Sequence, residues 1–256
     1  MSIDKLSLQQ WFLNYQLRAI QKKHVFNPIF IEADITKLEH LYKQRDQKPH
    51  YTSILIKALA MTAQEHPKIN RALFSRPWGD CLVTPPTINV NFPHYITDEN
   101  QDYLIASTVI SANEKSVTEI RDFIRTACRK KLSETIVAKH FKKKNSLWMR
   151  TYLKLIHFVA YNFPRLYLQK NGGGLSVSSL LNHAEDNFRC TPIAFGPTAM
   201  TLSSCSVVTE SDGRRVMRLG LAWDHCTGEG NDLILSVKTL TKILQGDREN
   251  ALSELL

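Results

Sequence analysis

Trp223-Asp224-His225-Cys226-Thr227-Gly228-Glu229-Gly230 follows directly on the apolar run Leu219-Gly220-Leu221-Ala222. Read together, they describe a buried strand that ends on a histidine, with a carboxylate four residues further on and a glycine after it. A histidine at that place projects beyond the strand end, and its neutral imidazole can accept a proton near neutral pH. Upstream lies Gly172-Gly173-Gly174-Leu175-Ser176-Val177-Ser178-Ser179, a glycine turn feeding a short strand that closes on paired hydroxyls. A base, a nearby carboxylate and a hydroxyl donor are the parts that acyl transfer requires. On spacing alone the same residues also describe a solvated loop histidine and ordinary turn serines. The glycine run lacks the Gly-Lys-Ser/Thr ending of a nucleotide loop, so phosphate cradling at residues 171–174 has little support.

Working outward, residues 6–23 carry apolar side chains at helical spacing and predict a leading helix. Residues 29–35 read as a strand, and Thr36 as the cap of a helix over 37–45. Thr52 or Ser53 is expected to cap an apolar helix over 54–65, ended by His66-Pro67. Strands are predicted at 81–84, 87–92 and 103–109, then a helix at 117–128. Further strands follow at 175–178, 199–208 and 215–223, and a final amphipathic helix at 231–244. Strands and helices mixed without strict alternation indicate an α/β sandwich of the α+β kind, with a mixed sheet rather than a doubly wound one. The expectation is a single domain over residues 1–256.

Hydrophobic residues make up 43% of the 256, as in a folded chain and unlike a disordered one. The five cysteines (Cys81, Cys128, Cys190, Cys205, Cys226) are scattered, which fits reduced thiols in a cytoplasm better than a disulfide framework or a zinc site. No metal ligand set is expected. Residues 1–10 hold no signal-peptide core, and no apolar run is long enough to span a bilayer.

The net charge of +9 is unevenly placed. Twelve of the 33 lysines and arginines fall between Arg125 and Lys170, where Glu134 is the sole acid, so the rest of the chain is close to neutral. Within this segment Lys139-His140-Phe141-Lys142-Lys143-Lys144 precedes an aromatic stretch at 147–168 containing Trp148, Tyr152, Phe158, Tyr161, Phe163 and Tyr167. Such a basic, amphipathic helix suits an anionic membrane surface or an acidic carrier protein, or caps an acyl pocket. It equally describes an extra helix with a solvated basic face. Nucleic acid is not expected, for no recognised module accompanies the charge.

Taken in order, the segments resemble the catalytic domain of the dihydrolipoamide acyltransferases of 2-oxo acid dehydrogenase complexes, in the chloramphenicol-acetyltransferase-like superfamily. The resemblance rests on Gly173-Gly174-Leu175-Ser176-Val177-Ser178, on Thr191-Pro192-Ile193 and on Asp224-His225-x-x-x-Glu229-Gly230. At the amino-terminal end, residues 27–36 and the ending His66-Pro67-x-x-Asn70 are similar to the family's opening strand and first long helix.

The resemblance implies an acyltransferase with His225 as general base, Ser178 as oxyanion donor and Glu229 in the place of the family's aspartate. It implies a homotrimer whose sites lie between subunits, and coenzyme A thioester as co-substrate, with no covalently bound cofactor. An acyl carrier protein is the alternative donor, and a small-molecule thiol, hydroxyl or amine the acceptor; the residues that would bind coenzyme A are not identified. Three departures stand out. Glu229 is a methylene longer than aspartate, Cys226 replaces an arginine, and residues 126–170 form a basic amphipathic insertion without a match in the family. An inactive relative serving as a scaffold, or a peripheral membrane module, is therefore the alternative, and a carboxylate–guanidinium pair between Glu229 and Arg18 is expected only by analogy.

Overall fold

Alternation along the strand that ends in Asp224 sets the architecture. Met217, Leu219, Leu221 and Trp223 are buried on one face of it, and Arg218, Gly220, Ala222 and Asp224 take the other. In the computed structural model, which describes residues 6–256 other than 171, 182–187, 195 and 249, this strand is β8 (Arg215–Asp224). It is the second strand of a six-stranded sheet in the order β1-β8-β7-β6-β4-β5. The others are β1 (Phe26–Asp34), β4 (Val90–Asp98), β5 (Gln101–Val109), β6 (Leu175–Ser179) and β7 (Met200–Thr209). Strands β4, β6 and β7 run parallel, while the remaining pairs are antiparallel. A separate hairpin, β2 (Ala72–Arg76) with β3 (Gly79–Val83), completes the strands.

The apolar face of the sheet is covered by α3 (Tyr51–Glu65), α4 (Val117–Cys128) and α7 (Gly230–Gln245), and one continuous core joins Ile31, Leu59, Val90, Ile120, Leu221 and Leu244. Every residue of α3 from Ser53 to Ala63 is buried. That explains its nearly uninterrupted apolar sequence, since a helix enclosed on all sides has no polar face. The opposite face of the sheet is polar, lined by Asn91, Ser176, Ser178, Thr201 and Ser203.

Most elements lie where the periodicity places them, and the corrections concern their ends. Thr36 is the first residue of α2 (Thr36–Gln44), not its cap; Asp34 accepts from both its N–H and its hydroxyl, at 2.9 and 2.6 Å. His50, not Thr52 or Ser53, caps α3, its ring nitrogen accepting from the Ser53 N–H at 3.3 Å. The β2 strand and the short α8 (Ala251–Glu254) have no counterpart in the sequence reading.

The basic segment folds as two short 3-10 turns at Leu132–Glu134 and Ala138–His140, then α5 (Leu147–Asn162) and α6 (Pro164–Lys170). The inner face of α5, with Met149, Leu153 and Ile156, packs on Leu8, Phe12 and Trp11 of α1 (Leu8–Gln21), a cluster separate from the main core. His157 completes it, its ring edge-on to Tyr15 at 5.2 Å and stacked on Tyr161 at 4.1 Å.

Candidate active site

Strand β8 gives up its last sheet partner at Asp224, opposite Phe26 of β1, and His225 is the first residue beyond it. The turn is held by a buried carboxylate. Asp224 is fully buried and its Oδ2 lies 2.6 Å from Nδ1 of His24, itself nearly inaccessible. Its other oxygen accepts from the backbone N–H of Val25 and of Cys226, at 3.3 and 3.1 Å. A carboxylate buried with three hydrogen-bond partners fixes the chain on both sides of His225. The His225 N–H donates to the Val25 carbonyl at 2.8 Å, and Thr227 donates to the Asp224 carbonyl at 2.7 Å. The His225 side chain is exposed, projecting from a rigid base.

Glu229 departs from expectation. It occupies the N-cap position of α7, exposed to solvent, where its backbone N–H donates to Asp232 at 3.3 Å. A carboxylate there is favoured by the helix dipole. No ion pair or hydrogen bond joins it to Arg18, so that expectation is not met. The acid that braces the histidine is Asp224, its chain neighbour, together with His24. Cys226 is exposed, yet partial desolvation of its thiol together with the nearby Asp224 charge pushes its pKa up, away from thiolate chemistry.

Ser178 is half-buried on β6, pointing to the polar face of the sheet. Its neighbour across β7 is Ser203, whose hydroxyl is buried. The glycine turn before it serves close packing. A Cβ on Gly173 would stand 2.0 Å from the Asn89 carbonyl oxygen, and one on Gly174 would stand 2.6 Å from the carbonyls of Asn70 and Arg71. Asn89 and Asn91 donate to the carbonyls of Gly172 and Gly173 at 3.2 and 3.3 Å. These amides point at protein, so the turn is a packing device; position 171 lies outside the described residues. The Thr191-Pro192-Ile193 stretch crosses the polar face of the sheet at Gly220, where a Cβ would meet the Cys190 carbonyl at 1.8 Å. Gly220 exists to let it pass.

The register measures the separation of the two candidate groups. Ser178 pairs with Ser203, and Ser203 with Gly220, which stands five residues before His225. Five strand residues are roughly 17 Å, whereas a base and an oxyanion donor must both reach one reacting carbonyl at about 3 Å. One chain alone does not bring His225 and Ser178 together. Two residues that matter here escaped the sequence reading, His24 and Ser203. The pairing of His24 with Asp224 spans the whole chain, and only their positions at the two ends of adjacent strands hint at it.

No protein-family model matches the sequence, and no curated protein matches it. Solved structures do. The cubic core of the pyruvate dehydrogenase multienzyme complex superposes with a TM-score of 0.68 at 18% identity, over 99% of this chain and 94% of that one. The dihydrolipoamide acetyltransferase of Azotobacter vinelandii, studied for the role of a serine, a histidine and an asparagine in its catalytic mechanism, gives 0.68 at 17%, over 99% and 94%. A truncated catalytic core of the 2-oxoacid dehydrogenase complex from Thermoplasma acidophilum gives 0.69 at 14%, over 96% and 98%. Over almost its whole length, this chain has the fold of the dihydrolipoamide acyltransferase catalytic cores.

Proposed function

We propose that the protein is an acyltransferase that moves an acyl group from a thioester of coenzyme A, or of a phosphopantetheine carrier, to a small-molecule thiol, hydroxyl or amine. The observation that carries the reading is His225: an exposed imidazole at a strand end whose backbone is anchored by the buried His24–Asp224 pair, on the fold of the acyltransferase cores. His225 takes the acceptor's proton as the acceptor attacks the thioester carbonyl. The oxyanion that forms is held by the Ser178 hydroxyl, and its collapse expels the thiolate, which takes the proton from His225. No covalent enzyme intermediate is involved.

The register separation supports an assembly in which the serine meets the histidine of a neighbouring subunit, and a homotrimer is the assembly we propose. Glu229 serves at most the start of α7 in this scheme. Its exposed position, without a guanidinium partner among the described residues, favours the second reading, a non-catalytic scaffold of the same fold. A mass-spectrometric transfer assay separates the two. Acetyl-, octanoyl- and palmitoyl-coenzyme A serve as donors, and dihydrolipoamide, pantetheine and simple alcohols as acceptors. Transfer abolished by His225→Ala and lowered ~10²–10³-fold by Ser178→Ala is the enzyme's result. Absence of both transfer and coenzyme A binding is the scaffold's.

A further inference from the structure

The outward side of α5 is apolar. Leu147 and Trp148 are 81% and 83% exposed, and Tyr152, Leu155 and Phe158 continue the same stripe at helical spacing. The inner side is apolar too and packs on α1, with β2 and α6 also against the helix, while Arg150, Thr151 and Lys154 mark one margin and the outer apolar stripe stays uncovered. A surface helix of a soluble domain ordinarily turns charge outward. Past the helix end the stripe is extended by exposed Phe163 and Leu166, and Trp78 of the β2–β3 turn lies against Phe163 at 6.1 Å between ring centres.

Beside this stripe runs a cationic groove of about 650 Å³, lined by Arg129, Lys130, Lys131 and Lys142 among others, and continuing past Lys139, His140 and Lys143. Lys142 is neutralised by Asp98 and Glu99, at 2.9 and 3.0 Å. Arg129, Lys130, Lys131, Lys139 and Lys143 make no ion pair among the described residues. Groove and stripe are continuous, because the His140 ring meets Tyr152 edge-on at 5.1 Å. At the other margin Lys154 leans over Trp11 and Tyr15, its charge at the rim of the apolar face.

We propose that this surface docks on an anionic lipid bilayer, the apolar stripe entering the headgroup boundary and the lysines and arginines meeting lipid phosphates. Tryptophan and tyrosine on the apolar side and lysine along the edge are the composition of an interfacial helix. No helix among the described residues is long and apolar enough to cross a membrane, so the attachment is to its surface. A second copy seated on the same face by a two-fold axis would bring the two unpaired cation clusters together, which like-charge repulsion opposes.

The test is flotation of the full chain with phosphatidylcholine vesicles, with and without phosphatidylglycerol, alongside sedimentation in solution. The expected result is binding only to the phosphatidylglycerol vesicles, weakening with salt. Leu155→Glu should abolish it without a change in circular dichroism. Lys143→Glu with Lys139→Glu should lower partitioning by about 25-fold or more, at roughly fivefold for each lysine removed. Failure of the wild type to bind these vesicles would overturn the proposal. So would a change of oligomeric state in Leu155→Glu with vesicle binding retained, since the stripe would then be a subunit contact.

Discussion

Helices α3 and α5 are of nearly the same length and both carry apolar residues on more than one face, yet the fold treats them differently. It closes over α3 with the sheet, α4 and α7, so that every residue from Ser53 to Ala63 is buried. It packs α5 on α1, β2 and α6 along one side, and leaves Leu147, Trp148, Tyr152, Leu155 and Phe158 in contact with water. The sequence of α3 is explained once the core is drawn. That of α5 is not, because half of its apolar surface contributes nothing to the folded chain by itself. Stability accounts for one helix, and the lipid surface proposed above would account for the other.

The contrast predicts opposite responses to the same chemistry. Leu59→Asp would bury an unpaired carboxylate inside α3 and should unfold the protein, a loss above ~4 kcal/mol, while Leu155→Glu on α5 should stay within ~0.5 kcal/mol. Urea unfolding followed by circular dichroism measures both, and a large loss in Leu155→Glu would mean that the outer face of α5 is covered in the folded state. Next in size, Leu153→Ala on the inner face of α5 should cost ~2–5 kcal/mol, because Leu153 is fully buried against α1. An unchanged urea midpoint would show α5 to be detached in solution.

The α1–α5 contact also makes stability depend on pH. Burial drives the pKa of His157 down from 6.5 to about 4. The unfolded chain therefore takes up its proton first, so stability is lost as pH falls from 6.5 towards about 4 and is steady below that. His50 and His94, also depressed by burial, act in the same direction. The difference between wild type and His157→Phe isolates the α1–α5 contribution, and parallel stability curves for the two would remove His157 from it.

Periodicity made most of the sheet and its helices legible, since β8, β7 and α4 announce themselves by alternation or by a three-to-four spacing. Helix caps were less so: Asp34 and His50 hold the chain where neighbouring threonines and serines are the usual choice. The candidate site was legible as residue types and not as geometry. Ser178 lies on β6 and His225 just past the end of β8, but no local pattern reveals that Asp224 turns inward to His24 while Glu229 faces solvent. Those choices follow from strand pairing between residues at opposite ends of the chain. The outer face of α5 was legible only as composition; which side of the helix lacks a cover depends on where α1 lands.

If catalysis joins the histidine of one subunit to the serine of another, two chains each lacking one of them restore activity when mixed. His225→Ala and Ser178→Ala chains, each poor in transfer alone, are unfolded together, refolded and assayed with the best donor and acceptor pair. In randomly mixed trimers about one site in four would combine an intact His225 with an intact Ser178, and activity should rise to that fraction of wild type. Activity that stays at the average of the two parents, in trimers shown to be mixed, would mean that the histidine and serine do not act across subunits.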